Sequence, residues 1–386
     1  MSGHVTVVGG GIAGLTAAIT CAEAGATVTL HEAHRTLGGR GRATEAPYVA
    51  HEGAHVFYAD GPHWGWLAER GLTGKLGRPG PSALLRAGFR RDGVFRRSAP
   101  AGFLRMLLDG RRRAPVDQDF ATWAGRRYGE AAATAAANAI SVATYDADTG
   151  RLSAAFVWNL LHRVFAPRPP SVRWVIGGWQ AVIDRMASHA ESLGVRIETG
   201  SRVTTLPDTP TVVATELASA RALLGDDSLR WQSGHCVMLD VALRRDRRDN
   251  FIVFDLDEGG FHESYSAQDP TVAPAGESLF QLDMPVKAGE SPADAHRRLE
   301  RFADVALPGW RDRVTWRRTA TARGRTGALD LPGQTWQDRP EIERGDGVFL
   351  AGDMVAAPGM RGEIAINSAL AAARGALTAA GRLPTR

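Results

Sequence analysis

Three glycines and one acid near the start of the chain have the types and spacing to hold a dinucleotide. Gly9, Gly11 and Gly14 lie within Gly9-Gly10-Gly11-Ile12-Ala13-Gly14, and Glu32 follows where a second strand would end. Gly9 permits a tight turn, Gly11 lets the backbone approach a pyrophosphate with no Cβ in between, and Gly14 lets a helix pack closely on its strand. A helix opening at Ile12 and Ala13 presents free N–H groups and partial positive charge to phosphates. Glu32 can accept hydrogen bonds from ribose hydroxyls, and an acid there disfavours a 2′-phosphate, which weighs against NADP. This set does not separate NAD from FAD.

The elements that must position these residues are legible beside them. His4 to Val8 is a β-branched run suited to a buried parallel strand, Leu15 to Ala24 reads as a helix ended by Gly25, and Thr27 to Leu30 reads as the next strand. A second turn comes just beyond Glu32, at Gly38-Gly39-Arg40. Arg40 can clamp pyrophosphate oxygens with its planar fork.

At this point the sequence resembles the flavoprotein superfamily of phytoene desaturases, flavin amine oxidases and protoporphyrinogen oxidase, whose members carry an E-A-x(n)-G-G-R pattern after the dinucleotide loop. The resemblance implies non-covalent FAD held by Gly9, Gly11, Ile12, Ala13, Gly14, Glu32, Gly39 and Arg40. It continues at Glu52-Gly53-Ala54-His55, similar to the segment that passes along the flavin ring, so Gly53, Ala54 and His55 are expected beside the isoalloxazine. Gly177-Gly178 resembles the opening of the helix that returns the chain to the FAD domain. Residues 194–203 read as strand, turn, strand, with Val203 matching a backbone contact to the adenine end.

Toward the C-terminus, Gly347 to Asp353 is a strand ending in Gly352-Asp353, and Pro358 to Ala369 leads into a helix. By resemblance, Asp353 holds the ribityl-phosphate region. Met360, Arg361 and Ile364 then lie where the helix points its N-terminus at the flavin pyrimidine, the position at which reduction adds negative charge. Two family glycines are replaced here by Ile364 and Ala369. His55 and Arg361 are the candidate catalytic residues, at the flavin edge and at the ring or a substrate anion. Asp269-Pro270-Thr271-Val272-Ala273-Pro274-Ala275-Gly276 matches the D-P-x-x-A-P-x-G stretch of phytoene-desaturase-like enzymes and reads as a structural connection between strands.

Composition restricts the alternatives. Hydrophobic residues make up 44% of the 386 and charged residues 23%, which excludes wholesale disorder. No apolar stretch approaches the ~18 residues of a spanning helix, and no basic-then-apolar leader precedes Val5, so a cytoplasmic protein is expected. Cys21 and Cys236 form no CxxC pair or metal spacing and read as packed thiols. Net charge is only +4, lysine occurs only at 75 and 287, and the arginine usage reads as base composition, not a nucleic-acid site. Phe103-Leu104-Arg105-Met106-Leu107-Leu108 beside Arg111 to Arg113 reads as a core helix with a basic end, with a dip into a membrane surface as the alternative.

The expected fold is α/β: a Rossmann-like, discontinuous FAD-binding domain from residues 1–75, 176–234 and 335–386, and an α+β substrate domain of helices over a mixed sheet from 76–175 and 235–334. Its activity would be dehydrogenation of a small-molecule substrate by hydride transfer to flavin N5, with oxygen, a quinone or another carrier as electron acceptor. Carbon–carbon desaturation of an apolar natural product leads. The alternatives are an amine oxidase and a non-catalytic escort protein, and intact Glu32, Arg40 and Asp353 argue against the escort. Nothing in the sequence specifies an oligomeric state.

Overall fold

The computed structural model describes residues 3–53, 56–165 and 172–382. The run His4–Val8 forms a strand whose residues from Val5 onward are buried, as a β-branched segment covered on both faces must be. It sits at the centre of a five-stranded, wholly parallel sheet, in the order Val348–Leu350, Thr211–Val213, His4–Val8, Thr27–Glu32, Arg196–Thr199. Three widely separated stretches of chain therefore build one sheet. The helix Ile12–Glu23 packs between the C-terminal helix Gly362–Ala379 and the helix Gly178–Ser192. Its alanine-rich faces bring the helices close, and Cys21 is buried there as a free thiol.

A second, seven-stranded mixed sheet has the order Val314–Ala328, Ser233–Arg244, Glu277–Pro285, Phe261–Ser264, Ile252–Asp255, Ala87–Arg91, Val94–Arg96. All its pairs are antiparallel except Ile252–Asp255 with Ala87–Arg91. One face is apolar. Val237, Leu239, Val241, Phe280, Leu282 and Met284 pack there with Leu299 and Phe302 of the amphipathic helix Pro292–Ala306. Side chains alternate across a strand, so Leu279, Gln281 and Asp283 must point to the opposite face. Helices Ala101–Leu108, Phe120–Tyr128, Glu130–Thr144 and Ala154–Phe165 share a core around Phe103, Trp123 and Trp158. A small three-stranded antiparallel sheet joins Val56–Tyr58, Val172–Val175 and Leu76–Gly77. This is the expected class, a Rossmann-like parallel sheet beside an α+β unit.

One expected strand is absent. After Arg196–Thr199 the chain does not form a second strand through Val203. Gly200 and Ser201 instead donate their N–H groups to His34 O (2.7 Å) and Glu32 O (2.8 Å), which ties the turn past the end of the sheet.

Candidate functional site: the glycine loop and the sheet face opposite

The three glycines of the first loop differ in why they are glycine. Gly9 has φ +107°, and a Cβ there would lie 2.6 Å from Ala214 O. A Cβ on Gly14 would lie 1.8 Å from Gly9 O. Both are required by the fold. Gly11 has an ordinary extended backbone (φ −80°, ψ −174°), and a Cβ on it would meet nothing nearer than Gly38 O at 4.0 Å. The protein itself leaves that space open. Gly11 also caps the helix Ile12–Glu23 without any side-chain bond, so no side chain covers its first N–H groups.

Glu32 is 6% exposed at the end of its strand. Its Oε2 accepts from Gly10 N (2.7 Å), and its Oε1 accepts from His34 N (2.8 Å) and lies 2.7 Å from His34 Nδ1. Burial pushes the carboxyl upward, but the His34 and Gly10 amides outweigh it and hold the group below its ordinary range, so it is a carboxylate at neutral pH. The second turn docks on the first, with Gly38 N donating to Gly10 O at 2.8 Å and Gly39 lying over Gly11.

Arg40 and Asp353 meet here from opposite ends of the chain: Arg40 Nη2 lies 2.7 Å from Asp353 Oδ2. Arg40 also donates to Arg325 O. Gly352 is held through its N–H by Ser368 Oγ (3.0 Å) of the C-terminal helix. That helix begins at Arg361, whose φ of +50° is a strained conformation for a side-chain-bearing residue. The Arg361 guanidinium donates to Val142 O (2.8 Å) and Ala143 O (3.0 Å) and lies 4.1 Å over the Tyr145 ring. It thus caps the helix Glu130–Thr144. Ile364 is buried and Met360 half-buried, with Met360 N donating to Glu363 Oε2.

Gly53 has φ +126°, and a Cβ on it would lie 3.4 Å from Tyr145 Oη. Ala54 and His55 lie outside the described residues. Val203 is half-buried in the turn beyond Glu32. The residues that hold the 51–53 segment were not visible to motif reading. Gln281 Nε2 (2.9 Å) and Arg318 Nη2 (2.7 Å) both donate to His51 O, and Tyr265 Oη donates to Gly53 O at 3.3 Å. Behind them Asp240, fully buried, accepts from Gln281 Nε2 (2.8 Å) and Arg318 Nε (2.8 Å). Gln180 N donates to His51 Nε2 at 3.1 Å, and burial, with Arg318 beside it, pushes this imidazole down to about 3. One sequence signal pointed here: Gln281 and Asp283 alternate in an otherwise apolar strand, placing two polar side chains on one face. Asp269 joins the return helix to the sheet, accepting from Gly177 N at 2.6 Å, and its motif lies in the connection between the strands Phe261–Ser264 and Glu277–Pro285.

Comparison with known proteins bears on this arrangement. Residues 7–70 match the model of the NAD(P)-binding Rossmann-like domain. An oxidoreductase from Methanosarcina mazei superposes with a TM-score of 0.77 at 15% identity, covering 95% of this chain and 99% of that one. Cyclohexylamine oxidase from Brevibacterium oxydans gives 0.73 at 16% (98% and 99%), and reduced UDP-galactopyranose mutase gives 0.71 at 11% (99% and 96%). The chain shares its fold with these proteins. No curated protein sequence matches it. The likeness spans both sheets, so the Rossmann-like sheet and the mixed sheet recur together in these proteins. Among the described residues no helix is long and apolar enough to cross a membrane, and no His, Cys, Asp and Glu cluster is arranged for a metal.

Proposed function

We propose that the chain is an FAD-dependent oxidoreductase that removes hydride from a carbon of a small molecule. The convergence of Arg40 and Asp353 beside the open face of Gly11 carries the reading. A space that no protein atom fills, a helix N-terminus that no side chain caps and an arginine suit a pyrophosphate. The ionised, buried Glu32 suits ribose hydroxyls and rejects a 2′-phosphate. The second turn at Gly38–Arg40 and the arrival of Gly352-Asp353 favour FAD over NAD. FAD supplies the hydride acceptor and is held without a covalent bond. The chain's own residues bind and orient: Arg40 offsets phosphate charge, Asp353 holds the ribityl side, and the start of the Gly362–Ala379 helix offers its positive end to charge that develops on reduction. Reoxidation by oxygen, a quinone or another carrier completes turnover.

Two substrate readings have support. Desaturation of an apolar natural product rests on the Asp269 to Gly276 motif. Amine oxidation rests on Asp283, a carboxyl 1% exposed whose Oδ1 has no hydrogen-bond partner, on the sheet face where the Tyr145 hydroxyl is also unpartnered. Burial pushes the Asp283 carboxyl well up, and an ammonium group placed beside it would favour its charged form. An anaerobic visible spectrum decides. Bleaching of the flavin band by polyenes alone supports desaturation, and bleaching by amines alone makes the protein an amine oxidase. Absence of any flavin band after FAD is supplied rejects the enzyme and leaves an escort protein.

Arg40→Met separates cofactor binding from folding. The Arg40 side chain is 41% exposed, so its pair with Asp353 contributes at most about 1 kcal/mol to stability. FAD affinity, followed by flavin fluorescence, is expected to fall by roughly tenfold to a hundredfold, the worth of a charge-assisted clamp on phosphate. An equal FAD affinity in the variant removes Arg40 from the site.

A further inference from the structure

Residues 76–113 stand apart from the rest of the surface in two ways at once. They hold six of the eight large hydrophobic side chains exposed among the described residues: Leu76, Leu84, Leu85, Val94, Leu104 and Leu108. They also hold ten arginines against only Asp92 and Asp109, in a chain whose net charge is +4. The remainder of the molecule is therefore net acidic, while within the segment Arg90 is paired with Asp255, Asp257 and Glu258, Arg91 with Asp92 and Arg112 with Asp109.

The helix Ala101–Leu108 explains how. Phe103 and Met106 are fully buried against the helical core, so this side behaves as the core helix expected from sequence. Leu104 and Leu108, one turn apart, face outward at 47% and 82% exposure, with Arg105 between them. The hairpin before it sets the neighbours. Phe89 pairs with Arg96 and Arg91 with Val94, so the chain returns to the end of the sheet from which Leu84 and Leu85 emerge, at 58% and 71% exposure. The Phe89 and Phe103 rings, 6.1 Å apart, fix the helix against that hairpin. Arg96, Arg97, Arg105, Arg111 and Arg113 are exposed with no acidic partner among the described residues.

We infer that this surface docks on an anionic phospholipid membrane. Bare leucines on the outward side of this core-packed helix enter the headgroup boundary, and unpaired arginines beside them attract acidic lipid. A second copy of the chain is a poorer occupant, because a two-fold interface sets each patch against itself and would oppose arginine to arginine. Nucleic acid gives the arginines a partner but leaves the leucines in water. The inference is independent of which cofactor or substrate the protein takes.

The test is co-sedimentation of the full chain with vesicles of phosphatidylcholine alone or with 30% phosphatidylglycerol, at about 0.15 M salt. Binding is expected to be at least about tenfold tighter to the anionic vesicles. Leu104→Glu with Leu108→Glu should weaken it by roughly tenfold or more, and Arg111→Ser, Arg112→Ser and Arg113→Ser together by roughly a hundredfold. Arg247→Ser, exposed on another loop, should have no effect. All the replaced side chains are exposed, so circular dichroism melts should match the parent and exclude misfolding as the cause. The proposal is overturned if neither vesicle is bound, or if binding ignores both sets of variants. It also fails if light scattering shows a dimer that Leu108→Glu dissolves, or if duplex DNA is bound in preference to vesicles.

Discussion

Gly11→Ala is expected to leave the fold standing and cost the protein its cofactor. The backbone at Gly11 is one any residue adopts, and the added methyl group meets only Gly38 O, at 4.0 Å. Its stability cost is that of a poorer helix N-cap, below about 1 kcal/mol. The methyl group does, however, occupy the space in front of the helix N-terminus, where the proposed pyrophosphate would sit. FAD affinity should therefore fall by roughly a hundredfold or more, because close backbone approach is what the glycine provides. A thermal melt of cofactor-free protein reads the first effect and an FAD titration the second. A variant that binds FAD as the parent does would mean that the phosphates lie elsewhere.

The neighbouring glycines supply the contrast. Gly9→Ala sets a Cβ 2.6 Å from Ala214 O at φ +107°, and Gly14→Ala sets one 1.8 Å from Gly9 O. Neither obstacle is a flexible side-chain end, so the backbone has to move, and about 3 kcal/mol or more of stability should be lost even without cofactor. The same three-glycine motif thus divides into two positions that the fold requires to be glycine and one that faces open space. The division follows from which atoms lie opposite each Cα.

That division marks what could be read from sequence. Gly9, Gly11, Gly14 and Glu32 announce themselves because strand, turn and helix are short-range events, and the residue types they need fall at fixed spacings. Asp353 was findable because Gly352-Asp353 ends a recognisable strand. Its meeting with Arg40 is long-range, and only the shared sheet order brings it about. Arg361 was legible as the residue before a helix, but its partners, the carbonyls of Val142 and Ala143, are fixed by how a distant helix packs. The support of the 51–53 segment is assembled from residues 240, 265, 281 and 318, on four separate stretches of chain that no local pattern links. Only the alternation of Gln281 and Asp283 in an otherwise apolar strand signals a polar sheet face.

Arg318→Met tests that support, and its effect should depend on pH in a definite direction. Asp240 is fully buried, and burial pushes its carboxyl up against the lowering by Arg318 and the Gln281 amide. Removing Arg318 leaves a buried carboxylate without its cation, a loss of about 3 kcal/mol at neutral pH, and takes one of the two donors from His51 O. The folded-state pKa of Asp240 then rises further above its unfolded value. A carboxyl raised in this way destabilises nothing below its unfolded pKa, near 4, where both states are protonated. The penalty grows as pH climbs from there to the folded pKa and is constant beyond. The melting temperature of Arg318→Met should accordingly fall well below the parent's at pH 8 and approach it near pH 4. Adding Asp240→Asn removes the titrating group while leaving an oxygen to accept from Gln281. The double variant should recover much of the loss at pH 8 and show little pH dependence, a coupling that additive effects cannot produce. A deficit of equal size at both pH values, unrelieved by Asp240→Asn, would mean that Arg318 acts by packing and its contact to His51 O alone.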